Sequence, residues 1–576
     1  MLKIIRLFNE SQKKYFLGLI CLICIVSILE MANLAIIIPI LNSFLDIETS
    51  TKERGLIWFT NILSQNNNSI QIFLFLFLIF FILKTFFSIF VSWKYHNFIF
   101  NFIENLSYNL YSKYLSQKYK LYSSKNSSEL LRNVLKEMDL FYLHLQSLIQ
   151  IILESIILFG IFIFLIYLLT IPTLVIVGTS LLLGSIYYLF VKKNLKTWGK
   201  NRQILEEDRI KYMQEGFNCL KEINFFKRHS FFLNRFKIKN NKFYKIYINY
   251  NFFNSLPRYV FELFTIVMIA LVFLFLLLEG KNNEEIIKIL ALFFAASFRI
   301  IPSVYRIFSS LQNLKYTHSA IQVLYYDFKN IKENIVFPNE SVLKFNDNVN
   351  LNINTFSHKS SDNFKLKDIK LEIKKNQKVG IIGKSGSGKS TILDIFSGII
   401  DEHNTQIKID GKNLDKNQLN EWQKLIGLIP QNISLINDTF KQNILFGLKE
   451  TEFKDEEILN IVKISNLEKL LSRLEDGINH NISEKGANLS GGEIQRIGIA
   501  RALIFNPEIL IFDEATSALD TFTENEILED INLLPNKTII MISHRMNTLK
   551  FCDKIYLLDN GKIIDEGSYE NFKDKY

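Results

Sequence analysis

The sequence predicts an α-helical membrane domain of six transmembrane helices fused to a soluble α/β domain built on a P-loop. Three observations predict it. Residues 1–325 hold apolar runs near the ~20 residues needed to cross ~30 Å of hydrocarbon. From about 325 to 345, Asp, Glu, Lys and Asn replace Phe and Leu. Beyond that, strand-and-helix alternation continues to Tyr576 and carries a Gly-rich phosphate-binding pattern. The expected division is a membrane domain at 1–325, a linker at 326–345 and the soluble P-loop domain at 346–576.

Six runs reach spanning length: about 16 to 41, 72 to 93, 146 to 169, 172 to 191, 257 to 278 and 286 to 310. The third and fourth form one uncharged stretch from Ser155 to Val191. As a single helix it would be ~55 Å long, so a hairpin broken at Thr170-Ile171-Pro172-Thr173 fits better. The first run contains Glu30 and lacks a small-residue cleavage site, so it is expected to be retained as a span. The basic, amphipathic residues 1–14 suit a short helix in the membrane interface, as does the external segment 55–63 with Trp58.

Segments 94–145 and 192–255 carry 7 and 15 Lys and Arg, against 2 in 42–71 and 1 in 279–285. The positive-inside rule therefore places the long segments and the N-terminus in the cytoplasm. Their helical periodicity and scarcity of Gly and Pro make them continuations of the spans, with residues 124–132 and 216–226 as candidate contact points for a second domain. The same basic segments account for the net charge of +10 without nucleic acid. Cys21, Cys24, Cys219 and Cys552 have no zinc spacing and are read as packing residues. A hydrophobic content of 48% excludes a disordered chain, and the low cysteine count excludes a disulfide scaffold.

In the soluble half, Gly383-Lys384-Ser385-Gly386-Ser387-Gly388-Lys389-Ser390 follows an apolar strand (Val379 to Ile382) and precedes a helix opening at Thr391. That context makes it a P-loop. The glycines let backbone N–H groups close around phosphate oxygens, Lys389 neutralises the β and γ phosphates, and the Ser390 hydroxyl can ligate Mg²⁺. ATP and Mg²⁺ are thus the expected cofactors. A second apolar strand, Ile509 to Phe512, delivers Asp513 for the Mg²⁺ shell and Glu514 to polarise the attacking water.

Between these motifs stands Leu489-Ser490-Gly491-Gly492-Glu493, and with it the chain resembles an ABC transporter half-molecule of the exporter type. The resemblance implies that this segment is the signature, acting on the nucleotide of a second copy, so that the working unit is a homodimer. It implies Gln431 as the Q-loop residue reaching Mg²⁺, Ser517-Ala518-Leu519-Asp520 as the D-loop, and His544 as the switch histidine on the γ-phosphate. The adenine-stacking aromatic falls on His358, with Phe356 in reserve.

Over most of its length the chain also resembles the PglK-type flippases of bacterial lipid-linked oligosaccharides, most clearly at Ser255 to Tyr259, Arg299 to Ile307 and Pro430 to Ile444. This implies a bacterial inner-membrane protein that moves a polyisoprenyl-pyrophosphate glycan from the inner to the outer leaflet, with Lys84, Arg258 and Arg299 meeting the pyrophosphate. Intramembrane ionisable residues are expensive and read first as functional. The alternatives are that Arg258 pairs with Glu262 at i, i+4, and that Lys84 and Arg299 pair across the bundle. Other function classes compatible with the motifs are export of drugs, lipids or peptides, and an ATP-gated channel or regulator.

Overall fold

A computed structural model describes residues 8–45, 69–117, 125–168, 170–280, 283–331, 343–357, 365–400, 404–483, 486, 488–515, 521–532 and 534–573. Residues 1–7 of the N-terminal interfacial segment, the external segment 55–63, His358 and the D-loop Ser517 to Asp520 lie outside the described residues. The chain divides near residue 333 into two compact units.

The first unit is helical: α1 (Glu10–Leu45), α2 (Ser69–Leu115), α3 (Ser127–Leu168), α4 (Thr170–Asn218), α5 (Leu220–Phe226), α6 (His229–Leu278), α7 (Asn283–Tyr316) and α8 (His318–Asn330). The six apolar runs fall in α1, α2, α3, α4, α6 and α7. Among the described residues, four stretches are both long and apolar enough to cross a membrane: Glu10–Ala32, Phe75–Leu115, Ser127–Ile163 and His229–Leu278. Helix α3 ends at Leu168 and α4 begins at Thr170, which places Pro172 in the first turn of α4, where its missing N–H costs no intrahelical bond. The helices extend well beyond the apolar runs, as the periodicity of the basic segments predicts. The midpoint of 192–255 is instead a break: Cys219 ends α4, and Lys227 adopts a left-handed conformation after α5.

Apolar side chains cover the outside of this unit. Leu76, Leu83 and Phe86 on α2, and Leu263, Ile266 and Leu278 on α6, are all exposed in the protein alone. A surface of this kind calls for lipid as its solvent. The packed core joins Ile23 of α1, Ile99, Phe102 and Leu110 of α2, Phe141 of α3 and Leu324 of α8. Two buried acids outside the apolar runs are paired: Glu137 accepts from Arg202 at 2.7 and 2.9 Å, and Asp327 accepts from Tyr114, Asn133 and Lys125. Such networks satisfy buried charge outside hydrocarbon, where removing one partner would strand the other.

The second unit holds two main sheets. An antiparallel sheet has the order β2-β1-β4-β5, with β1 Asn348–Phe356, β2 Leu366–Lys374, β4 Thr405–Ile409 and β5 Lys412–Asn413. The second sheet has the order β12-β11-β3-β10-β9-β6, with β3 Lys378–Gly383, β6 Ile426–Ile429, β9 Ile509–Asp513, β10 Thr538–Ile542, β11 Lys554–Asp559 and β12 Lys562–Gly567. A short pair, β7 (Asp438–Thr439) and β8 (Asn481–Ile482), stands apart. All neighbours in the six-stranded sheet are parallel except β11 and β12.

Parallel strands covered on both faces are apolar throughout, and β10 is buried at every position. Ile509, Ile511, Ile540 and Ile542 face one core with Ile392 and Phe396 of α9 (Lys389–Phe396). Leu510, Phe512, Ile539 and Met541 face the other. A separate cluster unites Phe440 and Ile444 of α11 (Phe440–Leu445) with Ile458 and Val462 of α12 (Asp455–Ile464) and Ile497 and Ala500 of α14 (Gly491–Leu503). The short helices α10 (Leu419–Lys424) and α13 (Glu468–Leu471) complete that order up to α14, which begins inside the signature; α15 (Thr521–Asn532) and α16 (Tyr569–Lys573) follow it.

Candidate nucleotide site and intramembrane charges

The nucleotide motifs converge because they sit at the carboxyl ends of neighbouring parallel strands, the end at which open α/β sheets bind ligands. Ile542 of β10 is in register with Asp513 of β9 and with Ile381 of β3. Residues just beyond each strand therefore emerge side by side.

In the P-loop, Gly388 has φ +108°, a conformation that side chains rarely adopt, and it hands the chain into α9. At Gly383 a Cβ would lie 2.2 Å from the Leu558 carbonyl oxygen, so only glycine fits between β3 and β11. Lys389 is 5% exposed and donates to the carbonyls of Gly383 at 2.9 Å and Lys384 at 3.0 Å. Burial pulls its ammonium below the usual lysine range, and the charges of Glu514 and Asp513 oppose that shift.

Ser390 Oγ donates to Asp513 Oδ1 at 3.0 Å. Two hard oxygens at this separation match the ~3 Å cis edge of an octahedron with ~2.1 Å bonds, the geometry Mg²⁺ demands. Burial raises the Asp513 carboxyl above its ordinary range, and the Ser390 hydrogen bond and Lys389 counter it.

Glu514 has φ +51°, which is unusual for a residue with a side chain and is backbone strain placed at the site. Its Oε2 accepts from Gln431 Nε2 at 2.9 Å and lies 2.7 Å from His544 Nε2. Because a carboxylate only accepts, His544 Nε2 carries the proton in that bond. The structure thus brings Gln431 and His544 onto one oxygen of Glu514, and Ser390 onto Asp513. Phe356 is buried in the antiparallel sheet at 3% exposure, which removes it as a stacking surface for adenine.

The signature serine caps α14. Ser490 Oγ accepts from the Glu493 amide at 3.3 Å, and Glu493 Oε2 accepts from the Ser490 amide at 2.7 Å, a reciprocal capping box. Arg473 pairs with the other oxygen of Glu493. Replacing Glu493 with Ala is expected to cost about 1 kcal/mol and to lower Tm by ~2–4 °C, read by thermal unfolding in detergent.

Sequence reasoning did not single out Asp394, one helical turn after Ser390 on the same face of α9; that i, i+4 spacing is the signal that could have found it. Burial, with Asp513 nearby, pushes its carboxyl up to about 6 from 3.8. Between these pH values the folded protein holds a proton that the unfolded chain has released, so stability falls as pH rises through the window. Asp394→Asn should flatten the pH dependence of Tm between about 4 and 6. It should stabilise the nucleotide-free protein by ~1–3 kcal/mol above pH 6. An unchanged Tm profile would contradict this.

In the first unit, Lys84 Nζ lies 2.9 Å from Glu30 Oε1, and Arg299 NH2 lies 3.6 Å from the same oxygen. Of the alternatives for these two cations, the structure has the pairing across the bundle, with one shared carboxylate. Arg258 Nε donates to Glu262 at 2.8 Å on an exposed face of α6, the i, i+4 pair. Glu154, fully buried, accepts from Gln150 at 2.9 Å and pairs with Arg306.

A membrane bundle and a nucleotide site of this design define an ABC transporter. The family description "ABC transporter transmembrane region" matches residues 16–300, and "ABC transporter" matches residues 366–517. The chain belongs to the ABC transporter family, with an ABC transporter ATP-binding domain fused to an ABC transporter transmembrane region. A bacterial Atm1-family ABC exporter, solved with ATP bound, superposes with TM-score 0.79 over 98% of both chains at 20% identity, a likeness of fold. Among curated relatives, "Putative export ATP-binding/permease protein RT0691" of Rickettsia typhi is 38% identical over 41% of this chain and 42% of its own length. An "ATP-dependent lipid A-core flippase" of Francisella tularensis is 38% identical over 38% of this chain and 36% of its own. The chain thus matches about two fifths of the length of these relatives.

Proposed function

We propose that two copies of this chain use Mg-ATP to flip a lipid-linked oligosaccharide, a polyisoprenyl-pyrophosphate glycan, from the inner to the outer leaflet of the bacterial inner membrane. Each copy would contribute six spans, with its N-terminus and ATPase domain in the cytoplasm. The observation that carries this reading is the meeting of Lys84 and Arg299, from different helices, on one carboxylate inside an apolar bundle. Hydrocarbon rejects a pyrophosphate unless fixed cations compensate it. Arg258, on its exposed face, is the third candidate for the headgroup. The relative named as an ATP-dependent lipid A-core flippase supports ATP-dependent flipping of a lipid.

At the nucleotide site, Lys389 would exchange its loop carbonyls for β and γ phosphate oxygens. Gly383 to Thr391 would wrap the phosphates, and His358 would stack on adenine. Ser390 and Asp513 would hold Mg²⁺, with Gln431 reaching toward it, and the ion would supply charge neutralisation between the phosphates. Glu514 would polarise the attacking water, and His544 would steady the γ-phosphate. Leu489 to Glu493 of the partner subunit would close the site, and Ser517 to Asp520 would line the seam. Binding would draw the two ATPase domains together and hydrolysis would release them, rearranging the helices.

The test is ATPase activity in vesicles of zwitterionic lipid doped with undecaprenyl pyrophosphate or with neutral undecaprenol. Stimulation by the pyrophosphate alone is expected; equal response to both lipids would contradict the reading.

A further inference from the structure

His544 lies two residues beyond the end of β10, and its side chain is 49% exposed, so packing alone does not aim the ring. Its direction follows from the backbone on either side. Ser543 ties that backbone down: its amide donates to the Ile381 carbonyl of β3 at 3.4 Å, and its Oγ accepts from the Arg545 amide at 2.9 Å and donates to the Arg545 carbonyl at 3.1 Å. Beyond His544 a second anchor takes over. Glu524 of α15, itself buried, commits both carboxylate oxygens to this loop: Oε2 accepts from Arg545 NH1 at 3.2 Å, and Oε1 accepts from Thr548 Oγ1 at 2.9 Å. The helix that carries Glu524 opens at Thr521, directly after the Ser517 to Asp520 motif, and Glu526 on it accepts from Asn466 Nδ2 at 3.0 Å. Apolar packing already fastens α15 through Ile527, Leu528 and Ile531. A buried carboxylate adds desolvation cost unless its partners hold it closely, and both partners of Glu524 lie within four residues of His544.

We propose that Glu524 is a positioning residue for hydrolysis: it holds Arg545 and Thr548, and through them aims His544 at the γ-phosphate. This rests on the reading of His544 as the side chain that meets the γ-phosphate. A displacement of about 1 Å at a reacting group can cost on the order of 10²-fold in rate. A loop loosened at Glu524 therefore loses turnover, while the P-loop, which makes the ground-state phosphate contacts, keeps ATP bound. Because α15 begins where the D-loop motif ends, the same carboxylate ties the loop of His544 to the segment that would line the seam between two copies.

The experiment measures steady-state ATP turnover and ATP affinity of the full chain in lipid vesicles, for wild type, Glu524→Gln and the double variant Glu524→Gln/Arg545→Met. The double variant replaces both members of the pair by neutral groups and strands no charge, so it serves should Glu524→Gln not fold. In either variant kcat should fall at least fivefold, with ATP affinity within twofold of wild type. The same changes are then made in a His544→Ala background, where single-turnover release of γ-labelled phosphate resolves the residual rate. There they should alter the rate by less than twofold, because the ring to be aimed is gone. A smaller fall in kcat, a shift in ATP affinity beyond twofold, or an effect beyond twofold in the His544→Ala background overturns the proposal, since each marks α15 as fastened for stability alone. A low rate in His544→Ala beside unimpaired Glu524 variants would overturn the proposal and leave the reading of His544 standing. Turnover by His544→Ala within twofold of wild type would overturn that reading itself, and with it the route through which Glu524 acts.

Discussion

Glu514→Gln is expected to lower ATP turnover by a factor of about 10²–10³, the range that loss of a positioned general base commands. The exchange is isosteric and leaves the P-loop untouched, so Lys389 and the glycines that would wrap the phosphates keep their geometry. What changes is the charge on the group at the end of β9. The amide can still meet Gln431, but it has no carboxylate with which to polarise water. Steady-state phosphate release and nucleotide binding, measured on the same protein, separate the two effects: turnover should collapse while ATP is retained. Turnover within threefold of wild type would show that the strained Glu514 is only a partner for Gln431 and His544.

Lys84→Met is expected to reduce the lipid moved per ATP hydrolysed by at least tenfold, consistent with losing one charge-assisted contact of ~1.5–3 kcal/mol. The substitution keeps an apolar stem of similar length and leaves Glu30 paired with Arg299, so the node becomes a neutral one-to-one pair rather than a stranded charge. Lys84→Arg, which keeps the charge and adds a planar fork, should retain transport. An unchanged ratio in Lys84→Met would mean that the excess charge has no part in handling cargo, and export of an uncharged amphipath would then be the better account.

The nucleotide chemistry was legible in the sequence because each motif is local: the glycine pattern, the acid pair and the histidine each follow an apolar strand. What brings them together is strand order, and the parallel register of β3, β10 and β9 turns three sequence positions into one site. The node at Glu30 could be read only as separate costs, since its pairing depends on how α1, α2 and α7 pack. The same limit applies to Arg473 on Glu493, where the partner lies twenty residues away, and to the break at α5 within a stretch whose periodicity runs on. Phe356 shows the converse: its residue type suits adenine, but at the end of β1 it is buried in the core, out of the period-two alternation that buries Val349, Leu351 and Ile353.

The most direct test of ATP-driven flipping is a vesicle assay. Protein is reconstituted with a fluorescent lipid-linked oligosaccharide, and the label exposed to an impermeant quencher is followed after adding Mg-ATP to the compartment that holds the ATPase domains. Wild type should move label across the bilayer only with ATP, and Glu514→Gln should leave it at the protein-free rate. Equal movement by the two proteins, or movement without ATP, would contradict the account.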